Sequence, residues 1–153
     1  MFEIRPMADD EIEATCEMHA RTWQVAYAGI VPDDYLAAMD PVQMAARRRE
    51  HLYPTLLALR DGVIVGNSSY KDDGELLSLY VDESEWGKGT GKALFDAVAR
   101  EMTCTMRLWV LEDNVRARRF YERQGMTHDG ESDFWTPHGT AVRLRELRYV
   151  KPL

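Results

Sequence analysis

Leu79-Tyr80-Val81-Asp82-Glu83-Ser84-Glu85-Trp86-Gly87-Lys88-Gly89-Thr90-Gly91-Lys92 reads as a strand, a short acidic loop, three glycines at alternate positions and the first turn of a helix. Glycine lets a backbone approach a ligand closely and adopt positive φ. A helix N-terminus carries unpaired N–H groups and a partial positive charge. Together they form an anion cradle suited to a pyrophosphate, with Lys88 and Lys92 at its rim. Two other phosphate motifs fail on the letters. A Walker A loop needs a glycine where Trp86 stands and a Ser or Thr where Ala93 stands. The dinucleotide fingerprint GxGxxG starts at Gly87 and Gly89 but meets Lys92 in place of its last glycine, and it lies in mid-chain after a meander.

Working outward from this loop, residues 89–102 carry Leu94, Phe95, Val98 and Met102 on one helical face. Residues 104–111 read as a strand, so the strand before the loop and the strand after this helix are expected to run parallel. Residues 114–124 form a helix that stops at Gly125, and strands over 126–134 and 141–150 close the chain. Upstream, residues 55–60 and 63–70 are strand-like and joined by Asp61-Gly62, a strong hairpin signal. Lys71-Asp72-Asp73-Gly74 turns into the strand over 75–81, which makes an antiparallel meander. Residues 2–6 alternate as a first strand. Asp9 or Asp10 can cap a helix on which Ile12, Cys16, His19, Trp23, Ala26 and Tyr27 share a face, running to about Ala28. Gly29 and Pro32 break it, and short helices over 33–39 and 42–52 follow. The pattern predicts a mixed, mostly antiparallel α/β sheet flanked by helices, as one domain over residues 1–153.

Apolar residues make up 45% and charged residues 29%, as in ordinary globular chains. No apolar run reaches the roughly 18 residues that would indicate a membrane span, and residues 1–5 lack a signal core, so a cytoplasmic location is expected. The formal net charge of −7 disfavours nucleic acid as a partner. Basic residues gather at Arg47-Arg48-Arg49 and at Arg116, Arg118 and Arg119, either to meet an anionic cofactor or as helix surface. Cys16 and Cys104 read as two buried free thiols. The four histidines show no ligand spacing, and no metal is expected.

The glycine loop resembles motif A of the GCN5-related N-acetyltransferase (GNAT) family, Arg/Gln-x-x-Gly-x-Gly/Ala: Gly89 and Gly91 match, Gly87 is a common extra glycine, and Trp86 stands at the Arg/Gln position. Asn114, Ala117, Phe120, Tyr121 and Gly125 resemble motif B, N-x-x-A-x-x-F/Y-Y-x-x-x-G-F, with Met126 for the usual Phe. Trp23-x-x-Ala26-Tyr27-x-Gly29 and Pro32-x-x-Tyr35-Leu36 look like the first two helices of many bacterial members. The resemblance spans nearly the whole chain. It implies that the parallel strands over 75–81 and 104–111 splay apart, and that the pantetheine of acetyl-coenzyme A lies between them.

The resemblance implies a cofactor-binding set: Leu79, Tyr80 and Val81 along the strand, then Trp86, Gly87, Lys88, Gly89, Thr90, Gly91 and Lys92. Asn114 caps its helix, hydrogen-bonds the pantetheine arm, or both. Arg118 and Arg119 reach the adenosine phosphates or face solvent. The chemistry that the resemblance implies is acetyl transfer to an amine. An alkylamine with a pKa of about 10.4 is almost wholly protonated at neutral pH, so a base helps. The resemblance implies Glu75 as that base, directly or through water, and Tyr121 as the acid for the departing thiolate. Trp23, Tyr27, Tyr35 and Trp135 are expected to wall the acceptor site; for Trp23 and Tyr27 the helical spacing equally suits core packing. Asp33, Asp34 and Glu112 suggest a cationic amine by charge alone. The expected acceptor is an amine of a small molecule or a peptide. A catalytically silent acyl-CoA sensor on the same fold is the alternative, and a homodimer is among the assemblies the family implies.

Overall fold

A computed structural model describes residues 1–152. The chain runs through β1 (Phe2–Pro6), a 3₁₀ turn (Asp9–Glu11), α1 (Ile12–Ala26), α2 (Asp33–Ala37), α3 (Pro41–Glu50), β2 (Thr55–Arg60), β3 (Val63–Tyr70) and β4 (Leu76–Val81). It continues through a 3₁₀ turn (Glu83–Glu85), α4 (Thr90–Glu101), β5 (Met106–Leu111), α5 (Val115–Arg123), β6 (Thr127–Trp135) and β7 (Leu144–Lys151). Every element expected from the sequence is present, most with ends shifted by one to three residues.

The strands form two sheets. One sheet has the order β1-β2-β3-β4 and the other β5-β7-β6, both antiparallel within themselves. Between them β4 and β5 touch at one parallel bridge, Glu75 to Arg107, where the Arg107 N–H donates to the Gly74 carbonyl at 3.0 Å. Within the second sheet β7 inserts between β5 and β6. It satisfies one edge of β5 along its whole length, Met106 opposite Lys151 through Leu111 opposite Glu146.

Local chemistry explains most element ends. Asp61 and Gly62 take φ of 51° and 81°, and Arg60 pairs directly with Val63, so the hairpin is the tight turn its letters indicate. Asp40 caps α3 by accepting the Val42 N–H at 3.0 Å, with Pro41 as first helical residue. Asp9 and Asp10 do not cap α1. They lie within the 3₁₀ turn, whose entry is closed by Glu11: its carboxylate accepts the Ala8 N–H at 2.9 Å and both Arg5 guanidinium nitrogens at 2.7 and 2.8 Å.

The main core lies under α4, where Phe95 and Val98 meet Leu76, Leu108, Tyr121, Leu147 and Tyr149. Leu94 packs on Ala58 and Val65 of the first sheet, so α4 rests across both sheets and holds the junction. On the opposite side α1 packs on α3 through Ile12, Cys16 and Ala45. Cys16 is buried as expected, whereas Cys104 is only half-buried, because it sits in the turn leading to β5. Among the described residues no helix is long and apolar enough to cross a membrane.

Candidate active site

Beyond the Glu75–Arg107 bridge a cleft of about 930 Å³ lies between β4 and β5. Its walls are residues 75–81 of the first sheet and 108–111 of the second, closed by the glycine loop at one end and by α1, Trp135 and Glu146 at the other. Strand alternation decides which backbone groups face it. The Ser78 carbonyl accepts the Ser68 hydroxyl at 2.7 Å, so it points at β3. The neighbouring residues Leu79 and Val81 therefore present their N–H and C=O groups to the β5 side. The Val81 carbonyl is already occupied there, accepting the Trp86 indole N–H at 2.9 Å.

The glycine loop is held rigidly from below. Glu85, only 3% exposed, accepts three hydrogen bonds from Arg60 at 2.9–3.1 Å and one from the Thr90 hydroxyl at 2.8 Å. The Arg60 guanidinium holds this carboxyl below its ordinary range against the opposing effect of burial, and Thr90 adds to the lowering. A buried carboxylate stays charged only with such partners. Thr90 thus fastens the loop through its side chain while lining the cleft. Gly89 sits at φ +85° as the N-cap of α4, and the first N–H to bond back along the helix is that of Ala93, to Gly89 O at 3.0 Å. The preceding amides of the first turn have no intrahelical acceptor. A Cβ on Gly91 would stand 3.3 Å from the Phe120 ring, so α5 approaches the cradle closely.

Of the expected cofactor set, Leu79, Tyr80, Val81, Trp86, Gly87, Gly89, Thr90, Gly91, Lys92 and Asn114 all line the cleft. Asn114 caps α5, its side-chain oxygen accepting the Ala117 N–H at 3.2 Å, which leaves its amide NH₂ for the cleft. Lys88 turns outward to Glu85 at 3.8 Å, and Lys92 pairs with Asp96 at 2.6 Å.

Arg118 and Arg119 are not brought to the cleft. Arg118 lies behind α5, donating to the Tyr149 hydroxyl at 3.1 Å and the Glu112 carbonyl at 3.0 Å, and Arg119 is exposed. Arg116 and Arg123 line the cleft instead. Helical spacing contains part of this answer: Arg116, Phe120 and Arg123 fall at i, i+4 and i+7, one stripe of α5, whereas Arg118 falls on the far side; Arg119, at i+3, borders the stripe but is exposed and does not line the cleft. The Arg116 guanidinium lies 3.3 Å from the Trp86 ring centroid. Burial lowers its pKa, and the charge of Arg123 lowers it further.

Tyr121 and Glu75 line the same cleft. Tyr121 is 9% exposed and packs on Phe120 and Phe95. Burial pushes its phenol well above the ordinary tyrosine value, with the Tyr27 phenol adding to the shift. It stays protonated throughout the range in which an amine loses its proton. Glu75 lies at the bridge end, with Arg107 at 3.7 Å; Arg107 is closer to Asp73, at 2.9 Å.

The expected acceptor wall divides. Trp23, Tyr27 and Trp135 line the cleft, while Tyr35 stands behind them, its ring centroid 5.9 Å from Trp135 and 6.5 Å from Trp23. Trp23 and Tyr27 also pack against the cluster of Val31, Leu36 and Leu111, so their core and cleft roles coexist. Asp33, Asp34 and Glu112 are absent from the cleft wall, and Glu112 pairs with Arg145. Arg47, Arg48 and Arg49 form the last turn of α3 and do not line the cleft; Arg48 donates to the Ser69 hydroxyl at 2.8 Å. His19 offers no base: burial first, then Arg48, pushes its imidazole down to about 3. Glu146 was missed by sequence reasoning, since a lone Glu alternating with arginines on a strand gives no signal.

The sequence profile of the acetyltransferase (GNAT) family matches residues 12–126. The chain belongs to that family. It is 25% identical to a spermine/spermidine N(1)-acetyltransferase of Bacillus subtilis (strain 168), over 95% of this chain and 99% of that protein. The PaiA N-acetyltransferase of Thermoplasma acidophilum, solved with coenzyme A, superposes with a TM-score of 0.77 at 21% identity, over 100% of this chain and 99% of that one. YncA of Salmonella typhimurium, a putative acetyltransferase solved with acetyl-CoA, superposes with a TM-score of 0.71 at 20% identity, over 99% and 94%. This GNAT chain thus shares a fold with proteins crystallised with that cofactor, and its activity as an N-acetyltransferase rests on the family and on relatives so named.

Proposed function

We propose that the protein moves an acetyl group from acetyl-CoA to an amine by direct attack of nitrogen on the thioester. The observation that carries this reading is one continuous cleft that joins an anion cradle, two unpaired strand edges, a buried phenol and a carboxylate. The cofactor fits: the α4 amides and Gly91 leave room for a pyrophosphate, Arg116 and Arg123 face the cleft as cations, and the Leu79 edge can pair with pantetheine amides as a further strand would. Acetyl-CoA supplies an activated acyl carbon and a stable leaving thiolate. Leu79 N–H polarises the carbonyl, Glu75 takes the amine proton directly or through water, and Tyr121 gives its proton to the departing sulfur.

Calorimetric titration with acetyl-CoA, followed by thiol release over amines, polyamines, aminoglycosides and peptides, tests the proposal. Binding with release on one amine class is expected. Binding without release makes the chain a silent sensor, and absence of binding removes the cradle assignment. The resemblance to a spermine/spermidine acetyltransferase makes polyamines the first acceptors to screen.

Two variants test the parts. Gly89→Val places a β-branched residue at φ +85° in otherwise open space, so about 1–3 kcal/mol of backbone strain falls on the cradle itself. A Kd for CoA raised more than about tenfold is expected in a variant that remains folded by circular dichroism. Wild-type affinity would refute the loop assignment. Glu75→Gln is expected to lower kcat/KM by roughly tenfold or more at pH 7, and by less near pH 10, where free amine is plentiful. A pH profile parallel to wild type would clear Glu75 of base duty.

A further inference from the structure

Three glutamates line the cleft, and two of them already have cations. Glu85 is clamped by Arg60, and Glu75 has Arg107 at 3.7 Å. Glu146 has neither an ion pair nor a side-chain hydrogen bond among the described residues. The nearby arginines are engaged elsewhere: Arg145 with Glu112, Arg148 with Asp129 at 2.6 Å, and Arg143 over the Phe134 ring at 4.1 Å. Across the sheet Glu146 faces Leu111 on β5 and another acid, Asp133, on β6. Burial raises its pKa, and the charge of Asp133 raises it further. A bound cation would relieve both.

The same end of the cleft presents aromatic faces. Trp23 and Trp135 stand edge to face at 5.9 Å, and Tyr27 lies 4.4 Å from Trp23. The Trp23 indole N–H is buried without a partner. Rings beside an uncompensated carboxylate form a seat for a compact cation. An amine ion-paired to Glu146 would keep its proton and be unable to attack a thioester, so the cation seated there is one that does not react.

We infer that Glu146, with Trp135, Trp23 and Tyr27, binds a second positively charged group of the acceptor, so that the preferred substrate is an aliphatic amine carrying another ammonium some carbons away. The inference rests on the acetyltransferase reading of this cleft and adds the acceptor's second charge and the residues that select it. Glu146 is a specificity-determining residue, distinct from Glu75 and Tyr121.

The test compares α,ω-diamines of three to eight carbons with amino alcohols of matching length, in which a neutral hydroxyl replaces the second ammonium. Kd is read from indole fluorescence with and without CoA, and kcat and KM from thiol release, for wild type, Glu146→Gln and Glu146→Asp. In wild type the best diamine is expected to have a Kd and KM about tenfold below its amino alcohol. Glu146→Gln brings that ratio to about one, and Glu146→Asp retains part of it. A wild type without preference, or a preference that survives in Glu146→Gln, overturns the inference while leaving acetyl transfer intact. Loss of kcat toward both acceptors with the ratio unchanged also overturns it, by making Glu146 the proton acceptor. Glu146-dependent diamine binding without any turnover would keep the subsite and sink the transferase reading.

Discussion

Tyr121→Phe is expected to lower the single-turnover rate of acetyl transfer by about 10²- to 10⁴-fold, the range typical of a positioned general acid. The affinity for CoA should stay within about twofold, because the phenol oxygen contributes little to holding phosphates or pantetheine. The ring is part of the core with Phe95 and Phe120, and phenylalanine retains that packing. The melting temperature should therefore move by less than about 4 °C, the equivalent of roughly 1 kcal/mol in a chain of this size. The pH dependence is separable as well. Because burial raises the phenol's pKa, the acid form persists as pH rises through the amine's own titration, so wild type should show no alkaline decline below about pH 10 from this group. Rapid mixing with a saturating amine, followed by thiol release, gives the rate. An unchanged rate would leave Tyr121 as a core aromatic only.

Gly74→Ala is expected to cost about 3 kcal/mol or more and to lower the melting temperature by roughly 6–12 °C. Gly74 has φ +96°, and a Cβ there would lie 2.3 Å from the Thr105 carbonyl oxygen and 3.0 Å from the Cys104 sulfur. Neither the strain nor the clash can be relieved locally, because the Gly74 carbonyl accepts the Arg107 N–H at the only bridge between the sheets among the described residues. Gly62→Ala is the control. Its φ is +81°, but nothing lies within 4 Å of the added carbon, so only the conformational cost of about 1 kcal/mol applies. Thermal melts of both variants isolate the steric part. Equal losses would show that Thr105 yields and that the junction is softer than its contacts suggest.

Much of the molecule was legible in the letters because local chemistry determined it. The Asp61-Gly62 turn and the three spaced glycines act over a few residues, and each appears where expected. The splay of β4 from β5 was an expectation of the family resemblance and not of the letters themselves, and the entry of β7 between β5 and β6 is a long-range pairing that leaves no periodic mark on any one strand. Arg118 and Arg119 were read either as phosphate contacts or as solvent-facing, although the helical stripe through Phe120 already sets Arg118 apart from Arg116 and Arg123. Asp33, Asp34 and Glu112 were chosen by charge alone, whereas the acid at the cleft, Glu146, sits on a strand of alternating charge and carries meaning only through what fails to neutralise it.

The single bridge between β4 and β5 leaves two facing strand edges, most of whose backbone donors and acceptors have no strand partner. Such edges invite pairing with other chains and admit proteases once they breathe. A ligand lying between them completes the ladder, so the empty protein is the more vulnerable form, by an amount that grows with the logarithm of cofactor concentration over Kd. In limited proteolysis the empty protein should therefore be cut first, and added CoA should slow that cleavage as the site fills.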